Sequence, residues 1–154
     1  MISAVFTSVI KSMDQESVVY GCIKDTFFYG EEREIELHRD TNRVVMQELP
    51  SAEDWPLISR EMFAMPAPAI ALDDSQTDVV HFGSSYKAVE HEWEQWLGKF
   101  EQMLKRMYWV SATVHLETEL NGRHTFTWES EGDFHVPDDG ELSVRCEWSR
   151  ESAF

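Results

Sequence analysis

The sequence predicts a single α+β domain: an antiparallel sheet of about 4–6 strands with one long amphipathic helix, about residues 85–108, packed across one face. Three observations predict it. An apolar stripe runs at three- and four-residue steps through Tyr86, Val89, Trp93, Trp96, Leu97, Phe100, Met103, Leu104, Met107 and Tyr108. The C-terminal third alternates apolar and polar residues between turn signals, the pattern of strands with one buried face. The chain has 154 residues, 42% of them hydrophobic, which is enough for one domain with a real core and too apolar for disorder.

The elements follow in chain order. Ile2, Val5, Phe6, Val9, Ile10 and Met13 fit a helical stripe, while Ile2, Ala4, Phe6, Ser8 and Ile10 fit strand alternation. The balance favours a helix continuing or restarting towards Tyr20. Residues 34–39 and 43–49 read as two strands around the turn Asp40-Thr41-Asn42, because Ile35 and Leu37 alternate with Glu34, Glu36 and His38. Asp54 is placed to cap a short helix with Pro56 in its first turn. Pro66 and Pro68 make MPAPAIALDD an extended connection. Val79-Val80-His81-Phe82 suits a short strand. Ser84 or Ser85 would then cap the long helix, whose acids cluster near its start and whose Lys99, Lys105 and Arg106 lie near its end, in accord with the helix dipole.

Beyond the helix, Val110, Ala112, Val114, Leu116, Thr118 and Leu120 form one face of a strand, Asn121-Gly122 marks a turn, and Phe126 and Trp128 lie on the return. A three-residue loop, Leu120-Asn121-Gly122, would set Glu119 opposite Arg123, Leu116 opposite Phe126 and Val114 opposite Trp128. That register unites the apolar face and puts Gly122 in a left-handed bulge position. It also places His115 and His124 on opposite faces. Pro137-Asp138-Asp139-Gly140 is a second turn, before a last strand whose apolar row is Leu142, Val144, Cys146 and Trp148.

The chain offers little catalytic chemistry. His91-Glu92-Trp93-Glu94 lacks the second histidine that helical zinc sites use, since position 95 is Gln95, so it reads as a solvated helix face. Asp73-Asp74 and Asp138-Asp139 are turn residues before they are acid–base pairs. Cys22 and Cys146 cannot build a disulfide scaffold. They read as reduced, mostly buried thiols of a cytoplasmic protein, Cys146 inert within its apolar row. There is no glycine-rich phosphate cradle and no nucleophile elbow. No metal, cofactor or catalytic residue is expected. The opening MISAVFTSVIKSMDQ has no basic n-region, so no signal peptide is expected, and no apolar run is long enough for a membrane span.

Charge is the informative property. Asp and Glu number 29 against 13 Lys and Arg, a formal net charge of −16. Such a field repels nucleic acid and anionic membranes and draws in basic proteins. The acid is uneven: residues 129–141, ESEGDFHVPDDGE, hold six acids and no Lys or Arg. Phe134 and Val136 could serve there as apolar anchors within an acidic rim. Glu131, Asp133, Phe134, Asp138, Asp139 and Glu141 are therefore the candidate partner-binding residues.

In general character the chain resembles the immunity proteins that bacteria make against their own or neighbouring toxins. The likeness covers small size, acidity and lack of catalytic motifs, and it carries no site residue. It implies a non-catalytic inhibitor whose partner is basic, such as a cognate toxin. The rival class is a small cytoplasmic enzyme or ligand-binding domain with its pocket between helix and sheet.

Overall fold

The computed structural model describes residues 16–26, 32–64 and 77–149. The N-terminal stripe from Ile2 to Met13 and the proline-rich connection lie outside the described residues. Among the described residues six strands form one sheet: β1 (Glu16–Thr26), β2 (Phe63–Ala64), β3 (Thr77–Lys87), β4 (Ser111–Thr118), β5 (Gly122–Glu129) and β6 (Val144–Ser149). Their order across the sheet is β2-β3-β1-β4-β5-β6, and every neighbouring pair is antiparallel. Two α-helices of the described residues, α1 (Glu32–Gln47) and α2 (Trp93–Lys105), lie on one face. An α+β domain with an antiparallel sheet is what the patterning predicts.

Strand period 2 decides which side chains go inside. Val19, Ile23, Val80, Phe82, Ala112, Val114, Leu116, Phe126 and Trp128 project towards the helices and are buried. Helix α2 covers them with Trp96, Phe100, Met103 and Leu104, also buried. An aromatic stack ties the layers together: Trp96 lies on Phe100 with centroids 5.2 Å apart, and Phe100 meets Trp128 at 5.2 Å and Phe82 at 5.4 Å.

Several local expectations need correction. Residues 34–47 belong to one helix, Glu32–Gln47, not to a hairpin. Its buried positions are His38, Arg39, Asn42, Val45 and Met46, a helical spacing whose first three members are polar and so do not register as an apolar stripe. These polar residues are satisfied inside. His38 Nδ1 lies 2.9 Å from Asp25 Oδ2, and Arg39 Nε donates to Asp78 Oδ2 at 3.3 Å. Asp25 and Asp78 face each other across β1 and β3. The Asn42 amide takes both backbone groups of Tyr108: it donates to the carbonyl at 2.9 Å and accepts the N–H at 2.8 Å. Asn42 therefore locks two elements together instead of closing a turn.

The long helix is shorter than its stripe. Ser84, Ser85 and Tyr86 belong to β3, so neither serine is its cap. The stripe is continuous because Tyr86 points inward on a strand as well as it would on a helix. The change of period comes at Ala88, which has φ 54, and a 3-10 turn from Val89 to Glu92 leads into α2. Residues 16–20 are strand rather than helix, and the strand at 79–82 extends over all of β3. Ser51, not Asp54, caps the short turn Ala52–Asp54, accepting the N–H of Glu53.

The β4–β5 hairpin closes earlier than expected. Its three-residue loop is Glu119-Leu120-Asn121, with Thr118 opposite Gly122, Glu117 opposite Arg123, Leu116 opposite His124 and Val114 opposite Phe126. The Thr118 hydroxyl catches the Asn121 N–H at 2.9 Å and leaves Leu120 at the tip, exposed. Partners differ from the expected ones by an even step, so the faces are unchanged: the apolar row is united and His115 and His124 lie on opposite sides. Gly122 has φ 73, the left-handed conformation expected of it.

The last strand begins at Val144, leaving Leu142 in the loop before it. Cys146 lies in the row shared with Phe126 but is exposed, because that row runs past the helices onto the sheet edge. Cys22 is only half-buried.

Candidate protein-docking surface

The loop from Ser130 to Ser143 joins β5 to β6 and carries all six candidate residues. Its backbone is tied to the C-terminal end of α2 by His135. That ring is buried and stacks on Trp109 at 4.8 Å. Nδ1 lies 2.9 Å from the Met107 carbonyl and Nε2 3.1 Å from that of Asp139. The His135 N–H donates to Trp109 O, and the Asp138 N–H donates to Lys105 O at 2.7 Å. Asp138 has φ 65 and Gly140 φ 72, so the expected turn is made with left-handed residues at both places.

The loop is thus fixed on its inner side and presents its acids outward. Glu131, Asp133, Asp138, Asp139 and Glu141 are all exposed. Phe134 remains 36% exposed while its ring meets His38 edge-on at 4.8 Å. Val136 is exposed beside it. The ion pairs among the described residues involve other acids, such as Glu48 with Arg106 and Glu129 with Arg145.

Helix α1 extends this surface in a way the sequence reading missed. Leu37, Asp40, Thr41 and Val44 lie on one helical face, and Leu37 and Val44 are about half exposed. A shallow hollow of about 490 Å³ separates that face from the loop, lined by Asp40, Thr41, Val44, Arg106, Pro137 and Asp138. Once Glu32–Gln47 is known to be helical, the i, i+7 spacing of Leu37 and Val44 identifies the stripe. Read as strands, the two residues have no common face.

Other clusters have different chemistry. On the open face of the sheet the Tyr20 hydroxyl donates to Glu117 at 2.7 Å, and His115 Nδ1 lies 2.8 Å from the Thr125 hydroxyl. Burial, helped by Glu117, raises the Tyr20 pKa above its usual 10.0. Burial, helped by the Arg123 charge, lowers that of His115 below 6.5. Folding therefore favours neutral His115. Its contribution to stability is complete above about pH 6.5 and is lost as pH falls through the depressed folded value. An NMR titration of the His115 ring should give a midpoint below 6.5, and a higher midpoint would contradict this desolvated setting.

His91, Glu92 and Glu94 are exposed. Among the described residues no group of three or more His, Cys, Asp or Glu is placed to hold a metal, and no helix is long and apolar enough to cross a membrane. The space between α2 and the sheet is filled by Trp96, Phe100 and Trp128, each with 0% exposure. No family model matches the chain, and no curated protein or solved structure is significantly similar to it.

Proposed function

We propose that the chain is a non-catalytic, acidic binding module that neutralises a basic protein by direct contact in the cytoplasm, as an immunity protein neutralises its cognate toxin. One observation carries the reading: a loop anchored by the hydrogen bonds of His135 presents five exposed carboxylates around Phe134 and Val136, next to the exposed stripe of α1. A loop already anchored in place has less conformational entropy to lose on binding. Its charge speeds encounter with a cationic surface, and its apolar residues supply contact area once water is expelled. The second reading, an enzyme or ligand-binding domain with a pocket between helix and sheet, has less support because aromatic side chains fill that space.

The test is kinetic. A basic protein that co-purifies with the full chain is measured by surface binding at two salt concentrations. Association should slow as salt rises. Asp139→Lys with Glu141→Lys should slow it about tenfold at low salt, the scale on which steering charges act. Asp138 is better changed to Asn, because Asn tolerates its left-handed backbone and Lys does not. Thermal stability should hardly move, since these side chains are exposed. Association indifferent to both salt and the reversals would overturn the reading.

A further inference from the structure

Trp55 is the most exposed large hydrophobic among the described residues, at 93%. It also closes the short turn Ala52–Asp54 in the left-handed conformation, with φ 53 and ψ 44, its N–H donating to the Ala52 carbonyl at 3.1 Å. Glycine or asparagine usually fills such a place, because a Cβ is crowded there. An indole at this position costs the fold twice, in backbone strain and in apolar surface left in water. A ligand that stacks on the ring would offset both.

Trp55 lines a hollow of about 550 Å³, to which Pro56, Leu57 and Tyr86 give apolar walls. The Tyr86 hydroxyl is already engaged, donating to the Leu57 carbonyl. Glu16 and Glu92 bring two carboxylates to the hollow against the single ammonium of Lys87. Both carboxylates are exposed, and neither enters an ion pair among the described residues. An open indole face, apolar walls and an excess of negative charge together suit a planar cation. A guanidinium stacks on an aromatic ring, lays its methylene stem on apolar surface and offers carboxylates a fork of N–H donors. An anion would meet two like charges there, and a purely apolar ligand would desolvate them without a partner.

We propose that this hollow receives an arginine side chain of the basic partner, its guanidinium stacked on Trp55 and its charge met by Glu92 and Glu16. The source of the arginine rests on the functional reading above, whereas the affinity of the hollow for a guanidinium does not. None of the residues that line the hollow belongs to the acidic loop, so the two surfaces can be tested separately.

The test titrates N-acetylarginine amide into the full chain while NMR follows the backbone and indole N–H signals. N-acetylcitrulline amide, of the same shape but neutral, is the comparison. The Trp55 indole signal, assigned by its loss in Trp55→Gly, should shift with a dissociation constant on the order of millimolar, as suits one isolated side chain. The citrulline compound should leave it in place, and the lysine analogue should bind more weakly because an ammonium has no plane to stack. Glu92→Gln should weaken the arginine compound about threefold, the scale of a half-exposed ion pair. Trp55→Gly, read from the backbone amides of Leu57 and Glu92, should weaken it at least about fivefold. The same variant should unfold at the wild-type temperature or above it, because glycine suits the left-handed backbone. At physiological salt, Asp139→Lys with Glu141→Lys should leave the titration nearly unchanged, so failure of the acidic loop as a docking surface and failure of this hollow are told apart. In the complex with the co-purifying basic protein, Trp55→Gly should speed dissociation at least about fivefold. A Trp55 signal that does not move, or that moves equally with the citrulline compound, overturns the proposal. So does a Trp55→Gly variant destabilised like a core residue, or a complex whose dissociation ignores that change.

Discussion

Truncating Trp96 or Phe100 to alanine is expected to destabilise the protein by about 3–5 kcal/mol each, the range for emptying a large aromatic site in a closed core. Both side chains have 0% exposure. Phe100 is the hub: its ring meets Trp96, Phe82 and Trp128, so its loss opens a cavity between α2 and two separated strands. Trp96 stacks on Trp93 at 4.9 Å and donates its indole N–H to the Tyr86 hydroxyl at 3.1 Å. Tyr86 donates in turn to the Leu57 carbonyl, so Trp96→Ala also loosens the segment that carries Leu57. Because the two rings touch, the double variant should lose less than the sum of the single losses. Chemical denaturation measures all three. Single losses below about 0.5 kcal/mol, the size of a surface change, would place these rings outside a tight core.

The same two residues show how much of the fold was legible in the sequence. Trp96 and Phe100 were identifiable as core residues because strong hydrophobes recur at the helical period, and no competing pattern is that long. The apolar face of the β4–β5 hairpin was legible from alternation at the strand period of two. Its register was not, because Thr118, whose hydroxyl fixes the turn, looks like any other strand residue. Helix α1 was hidden because its inward face begins with His38, Arg39 and Asn42 and turns apolar only at Val45 and Met46. Hydropathy scores these as exposed, and the carboxylates that receive His38 and Arg39 lie on other elements. Cys146 was placed in the correct row, but alternation along a strand cannot say whether anything covers that row. Exposure of the acidic loop was readable from composition and turn residues. The anchoring of that loop comes from His135, whose partners Met107 and Trp109 lie on a different part of the chain.

Gly21→Ala is expected to be as damaging as losing a core aromatic, although it adds a single methyl group. Gly21 lies in the central strand, opposite Phe82 on β3 and Val114 on β4. A Cβ there would sit 1.9 Å from the Thr113 carbonyl oxygen and 2.9 Å from Phe82 Cζ. The phenyl ring could swing away, but only by pushing into Trp96 and Phe100, which it already touches. The carbonyl oxygen is backbone of the neighbouring strand and moves only if the β1–β4 ladder parts. The cost should reach or pass the top of the overpacking range, about 3 kcal/mol. Gly83→Ala is the control on the same pair of strands. Its Cβ would have nothing nearer than Tyr20 Cβ at 3.6 Å, on the open face of the sheet. That change should stay within about 0.5 kcal/mol of the wild type, because an exposed strand position tolerates a methyl group. Equilibrium unfolding of the two variants measures the contrast. Equal stabilities would mean that β1 and β4 do not approach as closely as the ladder requires, and the central register of the sheet would have to be redrawn.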